Sequence, residues 1–262
     1  MAGQELYNFT WQARDDGGSR VFIQGPSDAC PIGCAYCYIG DKGVEPEPYD
    51  RARLGETIDT IIEHPNFTDD TMVSLGCDTD PLLPQLLEGT MQIIGRFSEL
   101  PNSIQLASKL VIPEELIDFS RNWPLGKRPP VLSTSITSIR FADRVEPRAP
   151  SPEERASNFD RISQMRWNSL ALMKPVLASM IGEKDAFVDL YKRHSPDGIV
   201  VGDMYRRGLG NGRPQPHPIA RDWTLRPQED YKRNIINYLQ ESLPHIFVMD
   251  SSVDAAIRLI QG

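Results

Sequence analysis

Short β-rich apolar runs alternate with amphipathic stretches of helical period along most of this sequence. That alternation limits the possible folds more than any other feature. The apolar runs are residues 21–24, 72–75, 104–108, 131–136, 170–175 and 198–201, and a further run, 245–249, offers a seventh strand. Apolar residues recur at helical spacing over 54–63, 83–100, 113–122, 152–165, 184–193 and 228–243, and a short last helix fits 252–260. Ser151-Pro152-Glu153-Glu154 is the clearest helix start, with a capping hydroxyl, proline at the first helical position and acids in the first turn. Strand–helix repeats of this kind build parallel sheets. Six of them predict an α/β fold, an incomplete (β/α)6 TIM-like barrel with a C-terminal extension. A doubly wound sheet shows the same alternation, and periodicity does not separate the two.

Residues 1–207 are assigned to the partial barrel and 208–262 to a C-terminal loop and helical extension packed on the same domain. The segment from Gly208 to Pro218 carries three Gly and three Pro and reads as a loop, either a lid or a surface crossover. A length of 262 residues suits one barrel plus a short extension. Hydrophobic residues at 40% and charged residues at 24% exclude a disordered or fibrous chain. No apolar run reaches the roughly 18 residues of a membrane span. Met1-Ala2-Gly3-Gln4-Glu5 lacks the basic start and apolar core of a signal peptide, so a cytoplasmic location is expected.

The net charge of −8 disfavours duplex DNA as a partner, because non-specific DNA binding relies on neutralising phosphates. Residues 208–262 hold six basic and six acidic side chains, so there is no basic tail. The most basic stretch runs from Lys192 to Arg213 and fits either one phosphate or a solvated helix end. The four histidines are scattered and form no acid/base or metal constellation. A glycine phosphate fingerprint, a nucleophile elbow and an HExxH helix are all absent from the sequence.

Three of the four cysteines fall within eight residues, Cys30-Pro31-Ile32-Gly33-Cys34-Ala35-Tyr36-Cys37. This C-x3-C-x2-C spacing follows the first expected strand, where the catalytic loops of a barrel emerge. A disulfide framework spreads its cysteines out, so the cluster points to metal. Three thiolates on one loop can hold three irons of a 4Fe–4S cluster and leave the fourth open. A structural zinc site is the alternative, although such sites use four closed ligands in paired knuckles.

The cysteine spacing, with Tyr36 just before the third cysteine, resembles the radical S-adenosylmethionine superfamily. Further segments extend the likeness: Gly76-Cys77-Asp78-Thr79-Asp80-Pro81, Ala107-Ser108-Lys109, Ser133-Thr134-Ser135-Ile136-Thr137, and Val145-Glu146-Pro147 through Ser151-Pro152. Over about residues 20–205 they resemble the spore photoproduct lyase-like family, with Thr137 standing where that family's strand has asparagine. The resemblance implies a 4Fe–4S cluster on Cys30, Cys34 and Cys37, with S-adenosylmethionine chelated at the open iron. It implies reductive cleavage to a 5′-deoxyadenosyl radical that abstracts hydrogen from a substrate. A reducing partner such as flavodoxin or ferredoxin is then needed.

Carried over by position, Cys77 is the hydrogen-atom donor, with Tyr36 and Tyr38 as radical-relay partners. The bland alternative for Cys77 is a small buried hydrophobe. Asp78, Thr79 and Asp80 are expected near the amino group of S-adenosylmethionine, which needs acceptors. For Asp80 an Asx turn before Pro81 is compatible with that role. Lys109 is expected against the methionine carboxylate, with a snorkelling lysine as the alternative. Ser135 is expected at the ribose or as an ordinary strand serine, and Lys174 at cofactor or substrate. The expected substrate is a nucleobase, nucleoside or other small molecule. Repair of a DNA lesion and a non-catalytic iron–sulfur or zinc-binding module are the competing readings.

Overall fold

The computed structural model describes residues 5–27, 29–37, 41–76, 78–124, 126–203 and 228–261. Strands β1 (Phe9–Ala13) and β2 (Ser19–Ile23) form an antiparallel hairpin. Short strands β3 (Ala29–Cys30) and β4 (Asp41–Lys42) pair with each other. Helix and strand then alternate: α1 (Arg51–Ile62), β5 (Met72–Leu75), α2 (Pro84–Ser98), β6 (Ser103–Ser108), α3 (Glu114–Arg121) and β7 (Val131–Ser135). They continue through α4 (Ala142–Val145), α5 (Pro152–Met165), β8 (Asn168–Met173), α6 (Lys184–Arg193) and β9 (Gly198–Val201). The last elements are α7 (Glu229–Ser242), β10 (Phe247–Met249) and α8 (Ser252–Gln261).

The main sheet has eight strands in the order β1-β2-β5-β6-β7-β8-β9-β10. Every pair after the hairpin is parallel. Chain order equals sheet order, so there is no switch point where the winding reverses. That separates this fold from the doubly wound sheet, which reverses at such a point. Among the described residues the outer strands β1 and β10 do not pair with each other. Beyond the six expected repeats, β10 falls in the run 245–249 that offered a seventh strand, and β1 adds an antiparallel one not expected from the sequence.

Side chains alternate across each strand. Val21, Val73, Leu75, Ile104, Leu106 and Leu132 pack against the helix layer, together with Leu54, Ile58, Ile93 and Leu116. Ala171, Met173, Ile199, Val201 and Val248 do the same with Phe187, Ile235 and Leu239. The other parity forms the inner face. Helix α8 packs there: Ala255 and Ala256 meet Met72, Val131, Leu170, Leu172 and Val200. Helix α5 starts as its sequence requires, with Ser151 and Glu154 completing a capping box. No helix among the described residues is long and apolar enough to cross a membrane.

Candidate cofactor and active site

Parallel strands in sequence order place all their C-terminal ends on one edge, the functional edge of βα barrels. The cysteine loop follows β2, residues 76–80 follow β5, and Lys109 follows β6. Ser135 ends β7, Lys174 follows β8, and Gly202-Asp203 follows β9. The fold therefore brings the expected site residues it describes to one mouth. Tyr38, Cys77, Met204, Tyr205 and the loop from Gly208 to Pro218 lie outside the described residues.

The cysteine loop is pinned from several sides. The Gly43 amide donates to the Cys30 carbonyl at 2.7 Å, and the Cys37 amide to the Cys34 carbonyl at 3.0 Å. The Ala35 amide donates to the Val145 carbonyl at 2.9 Å, which ties the loop to α4. Gly43 sits at φ +77°, in the left-handed region that favours glycine, with the Arg148 guanidinium packed over it. Cys34 is buried among Ile32, Tyr36, Val145 and Leu177, with Cys30 and Cys37 half-buried beside it. Burial pushes the Cys34 thiol up to about 12, and it also raises Cys30. A thiolate here needs a nearby positive charge, which a bound metal supplies.

Among the described residues no three His, Cys, Asp or Glu side chains are gathered as a ready-made metal cage. The fit rests instead on donor chemistry: three soft thiols on one loop suit an iron–sulfur cluster. A second observation agrees. Thr79 is 6% exposed, and its hydroxyl has no hydrogen-bond partner among the described residues. An orphaned hydroxyl beside the thiol loop suits a polar ligand, since leaving it unpaired is costly.

A buried ionic network underlies the loop. The Tyr36 hydroxyl donates to the Glu146 carboxylate and lies 3.0 Å from the Thr137 hydroxyl. Glu146 also pairs with Arg155 at 2.7 Å, both side chains fully buried, and lies 3.9 Å from the Lys109 ammonium. Arg155 donates to the Ser135 carbonyl at 2.6 Å. Burial opposes the Glu146 charge, but Arg155 and Lys109 outweigh it and hold the carboxyl below its usual range. Burial and the adjacent carboxylate push the Tyr36 hydroxyl well above its usual range. Lys109 also stands 5.8 Å from the Tyr36 ring centroid. Sequence reasoning passed over Glu146 and Arg155 as functional residues. The signal for Arg155 was its spacing: it shares the core-facing stripe of α5 with Asn158, Phe159 and Ile162.

Asp80 takes the expected Asx-turn geometry, which is compatible with ligand contact. Its carboxylate accepts from the Leu82 amide at 3.1 Å, from the Ser108 hydroxyl at 2.7 Å and from the Lys109 amide at 2.6 Å. It thereby stitches the end of β5 to the end of β6, and burial raises its carboxyl. Asp78 is also buried. The Thr79 methyl packs over Gly25, where a Cβ would approach to 2.4 Å. Ser135 is buried at the end of β7. The Lys174 stem runs along Gly202, and its carbonyl accepts from the Thr137 hydroxyl at 3.1 Å.

Comparison with known proteins places the fold. No family profile matches the chain, and no curated protein matches its sequence. Among solved structures it is similar to spore photoproduct lyase with bound AdoMet and dinucleoside spore photoproduct. The TM-score is 0.62 at 12% identity, over 91% of this chain and 78% of that one. A second variant of the same enzyme gives a TM-score of 0.64 at 14% identity, with the same coverage. SuiB of Streptococcus suis bound to S-adenosylmethionine gives 0.56 at 12% identity, over 88% of this chain and 50% of that one. The chain thus shares its architecture with spore photoproduct lyase and SuiB.

Proposed function

We propose that this chain is a radical S-adenosylmethionine enzyme acting on a nucleobase, nucleoside or other small molecule. The observation that carries this reading is the convergence of the three-thiol loop, Thr79, Lys109 and Ser135 on one strand edge, in a fold similar to two AdoMet-binding proteins. Cys30, Cys34 and Cys37 would hold a 4Fe–4S cluster, which when reduced supplies the electron that cleaves S-adenosylmethionine into methionine and a 5′-deoxyadenosyl radical. Lys109 offers its ammonium to the methionine carboxylate, and the Thr79 hydroxyl accepts from the methionine amino group. Asp78 lies beside it as a second acceptor. Asp80 acts mainly by holding the ends of β5 and β6 together, so that Lys109 and Thr79 face one space. Ser135 takes the ribose, and Lys174 bounds the far side of the mouth. Burial of the loop keeps water from the radical.

Cys77 is the donor that returns a hydrogen atom to the product radical, because its S–H bond is weak. Tyr36 and Tyr38 are its relay partners. The phenolic proton of Tyr36 already has an acceptor, Glu146. A reducing partner such as flavodoxin or ferredoxin completes the cycle, and the expected location is the cytoplasm. DNA-lesion repair is the second reading. It is supported by the dinucleoside bound to the similar lyase and opposed by the net charge of −8.

Anaerobic reconstitution with iron and sulfide tests the proposal. About four irons and four sulfides per chain are expected, with a reduced-state EPR signal that changes when S-adenosylmethionine is added. Bound zinc without an iron–sulfide chromophore would favour the structural zinc module instead.

A further inference from the structure

The charges behind the thiol loop are buried and fixed in place. The Glu146 carboxylate accepts from the Tyr36 hydroxyl, pairs with Arg155 at 2.7 Å and lies 3.9 Å from the Lys109 ammonium. Tyr36 stands between Cys34 and Cys37 in the chain, so its hydroxyl seats the loop directly on that carboxylate. The Lys109 ammonium faces the Tyr36 ring, and its backbone amide is held at 2.6 Å by Asp80. A lysine and a glutamate of opposite charge are thus both fastened beside the same thiols.

Both charges reach Cys34, and they act on it in opposite senses. Burial raises the Cys34 thiol most, the Lys109 charge pulls it down, and the Glu146 charge pushes it up. Asp80 acts on Cys30 in the same sense as Glu146. A charge that favours a thiolate also favours an added electron on the group the thiolates hold, since both place negative charge at one spot. In a buried site such charges are screened little, and the charge around an iron–sulfur cluster helps to set its potential.

Building on the enzyme reading above, we propose that Lys109 and Glu146 are opposed charges that set the reduction potential of the cluster on Cys30, Cys34 and Cys37, Lys109 raising it and Glu146 lowering it. The opposition has a chemical sense. The carboxylate of S-adenosylmethionine calls for a cation at the mouth, but a cation beside the cluster makes the reduced cluster a weaker reductant. Glu146 offsets that cost from behind. It touches no reacting atom and acts through its charge and its hold on Tyr36 and Lys109.

Reductive titration of the reconstituted, full-length chain, followed by EPR without S-adenosylmethionine, tests this. Glu146→Gln keeps the side-chain shape and removes the negative charge. The ratio of reduced to oxidised cluster at a fixed potential should then rise about ten-fold, equal to about 59 mV for a one-electron couple. Lys109→Met should lower the ratio by a similar factor, and Lys109→Arg, which keeps the charge, should stay near wild type. A merely structural role gives no reason for the two neutral variants to move in opposite directions. Circular dichroism and iron and sulfide per chain check that each variant is folded and loaded. If Glu146→Gln fails either check, Lys109→Met against Lys109→Arg decides. The proposal is overturned if the neutral variants shift the same way, if loaded variants titrate as wild type does, or if Lys109→Arg falls with Lys109→Met. A wild-type chain that assembles no iron–sulfur cluster overturns it together with the enzyme reading. Opposite shifts in a chain that never cleaves S-adenosylmethionine would count against the enzyme reading alone, and cleavage with unmoved potentials against the tuning alone.

Discussion

The Glu146–Arg155 pair carries structural weight because two opposite charges are fully buried against each other. Removing one partner of a buried pair leaves the other uncompensated, at a cost of roughly 3–5 kcal/mol. Glu146→Ala should therefore lower unfolding free energy by that amount in urea titration. A loss below about 1 kcal/mol would show that Arg155 finds another partner. Tyr36→Phe keeps the ring packing and removes one donor to a charged acceptor, so the loss should be about 1–3 kcal/mol. The cysteine loop rests on this network through the Ala35–Val145 hydrogen bond and the Tyr36 hydroxyl. Tyr36→Phe should thus also lower the iron retained per chain, whereas Phe at an unrelated buried tyrosine, Tyr191, should not.

At the scale of elements, the turn from β5 toward the site depends on one glycine. Gly76 sits at φ +85°, and a Cβ there would lie 2.1 Å from the Ala107 carbonyl oxygen. Gly76→Ala should cost roughly 2–4 kcal/mol, read from thermal unfolding, since strain and overlap add. The junction of α5 and α6 gives a pH prediction. His194 lies 2.6 Å from the Asp160 carboxylate and 3.0 Å from that of Glu153. Partial burial opposes its charge, but the hydrogen bonds to Glu153 and Asp160 outweigh it and raise its pKa above the ordinary 6.5. A raised folded-state value means that this contact stabilises fully below the ordinary value and fades as pH climbs through the raised one. The difference in melting temperature between wild type and His194→Ala should be larger at about pH 5.5 than at about pH 9. It should correspond to under about 1 kcal/mol, because the acidic partners are largely exposed.

Most of the parallel strands were legible as elements because each is a short apolar run bounded by turn residues. Strand β1 was not. Phe9-Thr10-Trp11-Gln12-Ala13 alternates weakly, and the Asp16-Gly17-Gly18 turn that closes the hairpin is the signal that would have found it. The inward placement of α8 was not readable either. Its small residues, Ala255 and Ala256, permit close packing on the sheet but do not say which face. Of the candidate site, the thiol loop stood out by its spacing, and Lys109 by its place after an apolar strand. Asp80 was legible as a turn residue whose turn is compatible with ligand contact, and its hydrogen bond from the Leu82 amide shows the turn.

Across the whole molecule, the two large cores lie between sheet and helices and contain none of the three loop cysteines. The Cys30→Ala/Cys34→Ala/Cys37→Ala variant should therefore stay folded, and it is the control for the central claim. That claim is tested most directly by incubating the reconstituted, reduced chain with S-adenosylmethionine without oxygen and looking for 5′-deoxyadenosine by mass spectrometry. The account predicts 5′-deoxyadenosine from wild type and none from the triple variant. Equal amounts from both, or none from a wild-type chain whose cluster is intact, reducible and shown by titration to bind S-adenosylmethionine, would contradict it.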